Sequence, residues 1–151
     1  MSGVEVRVAT LADLTALMGL RQQWAEEQGV PQPDPEFSGR FEQWFRTEIR
    51  HRTFWLATID GTAVGMVNLL TFTRMPTPGR PGGGWGYLGN MYVAEAHRTA
   101  GIGRLLLDAL VSHANAEGLE RVVLKPTERS VSFYRRAGFD TANELLLRPQ
   151  S

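Results

Sequence analysis

Arg98, Gly101, Gly103 and Arg104 lie within one seven-residue stretch, and together they suit one task, which is holding an anion. Ile102, Leu105, Leu106, Ala109, Leu110 and His113 recur at helical spacing, so a helix begins at the two glycines. The first N–H groups of a helix have no carbonyl partners, and its dipole favours negative charge there. Glycine lets a ligand approach that backbone closely, and Arg98 and Arg104 add positive charge on either side. The stretch reads as a cradle for a pyrophosphate. It is not a dinucleotide fingerprint, because Leu106 stands where a third glycine is needed. Nor is it the phosphate loop of a nucleotide hydrolase, since no Gly-Lys-Ser/Thr follows.

The elements around the cradle follow from pattern. A strand through Tyr87–Val93 delivers the chain to it. Upstream, Val4, Val6 and Val8 alternate with charged residues as a first strand with one buried face, and Thr10 with Asp13 starts a helix lined by Leu14, Leu17, Leu20 and Trp24. Gly29 to Pro33 stops that helix, and Asp34-Pro35 signals the start of a second. Phe37, Phe41, Trp44, Phe45 and Ile49 then form an aromatic stripe, expected to be core packing. Residues 53–59 and 62–73 read as strands joined by the hairpin signal Asp60-Gly61. Arg74–Gly84, rich in proline and glycine, reads as a loop between antiparallel strands, with a basic flap over a ligand as the sharper alternative. After the cradle helix come a buried strand at 121–125, a helix around Phe133-Tyr134, and a last strand at Glu144–Arg148. The order β, α, α, β, β, β, α, β, α, β predicts an α+β fold, a mixed central sheet with helices on both faces.

With 151 residues, 42% apolar and 21% charged, the sequence fits a single domain over 1–151. Sixteen basic residues balance sixteen acidic ones, so no overall field draws the chain to nucleic acid or an anionic membrane. The absence of cysteine excludes disulfides, thiolate metal sites and a thiol nucleophile, and His51, His97 and His113 show no metal-ligand spacing. No signal pattern or membrane-length apolar run is present, so the expected location is cytoplasmic.

Arg98-x-x-Gly101-x-Gly103 matches the Q/R-x-x-G-x-G/A signature of the GNAT superfamily of acyl-CoA-dependent N-acetyltransferases, and the resemblance extends to both sides. A strand of the Met91-Tyr92-Val93 kind precedes it, and Phe133-Tyr134-Arg135-Arg136-Ala137-Gly138-Phe139 resembles the family's F-Y-x-x-x-G-F helix. The resemblance implies a GNAT-like sheet with a splayed pair of parallel strands, and acetyl-CoA as co-substrate without a metal. It also implies that the backbone of Met91, Tyr92 and Val93 bonds the pantetheine arm, with an amide near Met91 or Tyr92 as oxyanion donor. The pyrophosphate falls to Arg98, Thr99, Ala100, Gly101, Ile102, Gly103 and Arg104, with Phe133 also beside the cofactor. Thr127 and Ser130 stand seven and four residues before Tyr134, where the family often has asparagine and a small residue. The asparagine's bonds to the cofactor arm are then expected to be weaker or replaced by these hydroxyls. Tyr134 is the expected general acid: a phenol of pKa about 10 stays protonated at pH 7, yet it can protonate a departing thiolate whose conjugate acid titrates near ~8.5. The family usually ends in a two-strand hairpin, for which the thirteen residues from Phe139 are too few, so a neighbouring subunit in a homodimer is expected to cover the last sheet edge.

Glu48 lies between Trp44 and Phe41 on the aromatic face at about 100° per residue. A carboxylate there, near a helix C-terminus, is costly unless paired or functional. Since the family's second helix borders the acceptor pocket, Glu48 is expected to meet the acceptor ammonium; the alternative is an ion pair with Arg52 one turn on. The acceptor is a small-molecule or peptide amine, with neither nucleic acid nor membrane as partner. The competing function from a different class is a non-catalytic acyl-CoA-binding sensor. A nucleotide-binding regulatory domain is disfavoured by the missing third glycine.

Overall fold

A computed structural model describes residues 3–80 and 82–150. Five strands form one sheet in the order β1-β2-β3-β4-β5: β1 (Val4–Val8), β2 (Arg52–Ile59), β3 (Thr62–Thr73), β4 (Gly84–Val93) and β5 (Arg121–Val123). The first four pair antiparallel and β4 pairs β5 parallel. Helices α1 (Leu14–Glu27) and α2 (Phe37–Glu48) precede β2, while α3 (Ile102–Ala116) and the short α4 (Val131–Arg136) flank β5 in sequence. The architecture is the expected α+β mixed sheet with helices on both faces.

Alternation along the strands builds two cores. Trp55, Ala57, Leu69 and Leu88 pack with Ile102, Leu106, Leu107 and Leu110 of α3, whereas Phe54, Leu56, Met66 and Tyr92 pack with Leu17, Leu20 and Phe45 of α1 and α2. Strand period two sends neighbouring side chains to opposite faces, so Phe54 and Trp55 belong to different cores. Asp13 completes the entry to α1. It accepts from the Thr10 backbone N–H at 2.8 Å, and both of its oxygens accept from Arg7 at 2.8 Å. Those bonds, with that from the Arg7 guanidinium foremost, hold its carboxyl below the usual range.

Two irregularities in β4 matter for the site. The register with β3 shifts between Met66 and Asn68, which inserts one extra residue into β4, and Asn90 sits there at φ 55° in the left-handed region. This is a β-bulge, held by a residue type that tolerates that conformation. Second, β4 pairs with β5 only at Trp85–Arg121, Gly86–Val122 and Tyr87–Val123. Beyond Tyr87, β4 continues to Val93 while the chain after Val123 leaves the ladder and reaches Pro126, so the parallel strands are splayed.

Several boundaries differ from expectation. The last strand at Glu144–Arg148 does not form. β5 offers only a three-residue edge, Leu145, Leu146 and Leu147 are exposed at 57%, 101% and 87%, and the tail is tied by an ion pair of Glu144 with Arg121. β5 itself ends at Val123 rather than Lys125. Val8 is exposed, so the buried face of β1 is carried by Val4 and Val6. Helix α2 starts at Phe37, since the Asp34 carboxylate accepts from the Glu36 N–H at 3.1 Å and caps the turn before it. In the Arg74–Gly84 segment Arg74 pairs with Glu120; Pro81 lies outside the described residues.

Candidate active site

The splay of β4 from β5 opens a groove of about 590 Å³. One wall is β4 from Tyr87 to Val93. The other is the segment Leu124–Thr127 with Ser130, Phe133 and Tyr134, and Arg98 stands at the rim. Because β5 stops pairing at Val123, the edge of β4 from Leu88 onward presents backbone groups without a β5 partner. An extended amide-bearing ligand can hydrogen-bond to such an edge as an added strand does.

Helix α3 begins near this groove. Gly101 is its N-cap residue at φ 80°, no side chain caps it, and the space where a Gly101 Cβ would lie is open. The first-turn N–H groups are thus left without a side-chain cap, the arrangement that lets a helix start bind an anion. A Cβ on Gly103 would touch Phe133 at 3.5 Å and Val93 at 3.8 Å, so α4 lies close against the start of α3. Arg98 donates from Nε to the Val93 carbonyl at 3.0 Å and also binds Glu27, which fixes it between β4 and α1. Ile102 is buried in the core at 1% exposure, leaving only its backbone for a ligand. Arg104 donates to Asp108 at 2.9 Å, and it does not line the groove; nor do the Thr99 and Ala100 side chains.

Tyr134 lines the groove from α4 and is 7% exposed. Phe133 and Phe139 meet its ring edge-on at 5.0 and 5.7 Å, which restricts its orientation. Burial pushes its hydroxyl up to about 12, so it remains protonated across any ordinary working pH. Thr127 and Ser130 also line the groove, but their hydroxyls serve each other. Ser130 Oγ accepts from Thr127 N at 3.0 Å and from Thr127 Oγ1 at 3.1 Å, and donates to the Thr127 carbonyl at 3.0 Å. They cap the turn into α4 rather than leaving free hydroxyls.

A second cavity of about 350 Å³ lies between α1, α2 and the sheet. Here the aromatic stripe divides by depth. Phe45 is fully buried in the core, whereas Phe37, Phe41 and Trp44 line the cavity together with Arg21, Arg40, Asn68 and Asn90. Asn90 belongs to the walls of both spaces. Its side chain is fixed by a chain of bonds: Glu48 accepts from Arg52 Nε at 2.6 Å, Arg52 Nη1 donates to Asn68 Oδ1 at 3.0 Å, and Asn68 Nδ2 donates to Asn90 Oδ1 at 2.8 Å. Glu48 is therefore paired with Arg52 and lines neither space among the described residues.

Sequence reasoning passed over Asn68, Asn90 and Arg21, and also the cluster at Glu27. The Tyr92 hydroxyl donates to Glu27, and its ring stacks on Trp24 at 5.5 Å. Burial first, then Glu27, pushes the Tyr92 phenol up to about 12, while the bond from Tyr92, with help from Arg98, holds the Glu27 carboxyl below its usual range. A charged residue in the last turn of a polar helix carries no such signal by itself. No carboxylate or histidine lines either space among the described residues. Among these residues there is no group of three or more His, Cys, Asp or Glu placed to hold a metal, and no helix is long and apolar enough to cross a membrane.

The sequence profile of the acetyltransferase (GNAT) family matches residues 16–139. The chain belongs to the GNAT acetyltransferase family. Its mixed five-strand sheet, with β4 parallel to β5 and helices on both faces, is that of a GNAT domain. A predicted acetyltransferase with acetyl-CoA from Clostridium acetobutylicum superimposes with a TM-score of 0.78 at 22% identity, over 97% of this chain and 96% of that one. Glucosamine-6-phosphate N-acetyltransferase from Arabidopsis thaliana gives 0.72 at 16% identity, over 98% and 99%. In sequence, the chain is 30% identical over 79 residues to glucosamine 6-phosphate N-acetyltransferase of Trypanosoma brucei brucei, a match spanning about half (52%) of each.

Proposed function

We propose that this GNAT protein is an N-acetyltransferase that moves the acetyl group of acetyl-CoA to a primary amine by direct attack. The observation that carries the reading is Asn90, a single bulge residue shared by the groove along β4 and the small-molecule-sized cavity beneath α1 and α2. A donor in the groove and an acceptor in the cavity meet there without a covalent enzyme intermediate.

Each part of the site has a task in this reading. The α3 amides with Arg98 hold the pyrophosphate, and the free edge of β4 binds the pantetheine arm. Acetyl-CoA supplies an activated thioester, whose carbonyl carbon the neutral amine attacks as the C–S bond breaks. A backbone N–H at Met91 or Tyr92 stabilises the developing oxyanion. The Tyr134 hydroxyl gives its proton to the leaving sulfur. A phenol near 12 is a weak acid for a thiolate in water. In a closed groove, though, burial raises the thiol's pKa as it raises the phenol's, so the proton transfer comes closer to balance. With no carboxylate or histidine lining either space among the described residues, the amine's proton leaves through the mouth of the cavity to water. Glu48 acts through Arg52 and Asn68 on the position of Asn90.

The test is a panel of amines incubated with acetyl-CoA while free CoA thiol is followed. Saturable, amine-dependent thiol release is expected on at least one class of acceptor. Saturable acetyl-CoA binding with no release on any amine supports the sensor instead.

A further inference from the structure

The cavity beside α1 and α2 has a charge character that the acetyltransferase reading leaves unused. Arg21 from α1 and Arg40 from α2 both line it, and no carboxylate does among the described residues. The two differ in how their charge is met. Arg40, at 58% exposure, already pairs with Asp34 at 2.5 Å and lies within 3.8 Å of Glu36. Arg21 has its guanidinium carbon 4.6 Å from the Trp24 ring centroid. Its Nη1 is cut off from solvent with no hydrogen-bond partner among the described residues, and no carboxylate lies within ion-pair distance of it there. A buried guanidinium N–H in that state has lost its hydration without replacement. The remaining polar groups of the wall, the Asn68 and Asn90 carboxamides, carry no charge to offset it.

We infer that this cavity takes the anionic end of the acceptor, so that the substrate is a small amine bearing a carboxylate or a phosphate. The inference rests on the acetyltransferase reading for the fate of the amine, but the anion site is defined by Arg21 and Arg40 alone. Two guanidiniums from separate helices converge on one space, and a guanidinium fork matches either oxyanion in a bidentate manner. The cavity of about 350 Å³ suits a molecule of amino-acid or sugar-phosphate size. With the anion at the arginines, the amine end of such a molecule is left to face Asn90 and the groove. An amine carrying only positive charge would place it beside an uncompensated Arg21, which disfavours polyamines and basic peptides.

The test uses matched pairs that differ only in the anion: glucosamine 6-phosphate against glucosamine, and β-alanine against its amide. Calorimetric binding to the full-length protein in the presence of CoA reads the site whether or not turnover occurs. At least tenfold tighter binding of the charged member in either pair is expected, and the pair that shows it identifies the anion. Arg21→Gln should bring that ratio towards one while acetyl-CoA affinity is retained. Equal or tighter binding of the neutral members in both pairs overturns the inference, as does an unchanged ratio in a folded Arg21→Gln protein. Charged-amine preference without thiol release would count against the acetyltransferase reading and not against the anion site.

Discussion

At the level of single residues, Tyr134 and Asn90 carry the proposed chemistry. Tyr134 stands in the groove wall with its hydroxyl held neutral by burial. Tyr134→Phe keeps the ring and its two aromatic neighbours and removes only the hydroxyl. Acetyl-CoA affinity should be retained while kcat falls about 10²–10⁴-fold, the usual contribution of a general acid. The loss should shrink for acyl donors with better leaving thiols. The pH profile is a second readout. With the Tyr134 pKa raised to about 12, the acid is fully protonated at pH 10, so wild-type kcat should show no descending limb there; a decline centred on pH 10 would point to an unburied phenol. Tyr134 was legible because it sits in a seven-residue motif. Asn90 was not, because nothing in Leu88-Gly89-Asn90-Met91 distinguishes a bulge from a regular strand. Its left-handed φ follows from the mismatch in register with β3, a tertiary fact.

Among the elements, α3 and the β4 edge form the donor side of the proposed site. The start of α3 was readable from glycine placement and helical spacing, and the Asp60-Gly61 hairpin from turn chemistry, because both are local. The Glu144–Arg148 segment misled for the converse reason. Three leucines between charges have strand propensity, but a strand needs a partner edge, and the three-residue β5 does not provide one. For Glu48 on α2 the spacing left two readings open, the acceptor ammonium and an ion pair with Arg52 one turn on, and the structure shows the ion pair. The cradle assignment predicts opposite signs for two properties of Gly103→Asp. A carboxylate in the first turn complements the helix dipole, and replacing a helical glycine removes its entropy penalty, so the free protein should be as stable as wild type or slightly more so. The same charge repels a pyrophosphate, so acetyl-CoA affinity should fall by at least about tenfold, or ~1.4 kcal/mol. Calorimetry and a thermal melt on one sample read both. Undiminished acetyl-CoA affinity would remove the cradle from the site.

For the molecule as a whole, two spaces meet at one residue. Helices α1 and α2 close a cavity against the sheet, the divergence of β5 opens a groove along the edge of β4, and Asn90 belongs to both. The overall α+β order could be read from periodicity and the splay of the parallel strands from the family resemblance, whereas the cavity could not. It depends on which side chains of α1 and α2 stop short of the sheet, which leaves no mark in spacing. A direct transfer requires both substrates on the protein at once, and the chain has no cysteine to carry the acetyl group between them. Steady-state initial velocities, measured with acetyl-CoA and the best amine of the panel varied against each other, test this arrangement most directly. Double-reciprocal lines that intersect, as a ternary complex requires, are the predicted result; parallel lines, the mark of an acetylated enzyme intermediate, would contradict it.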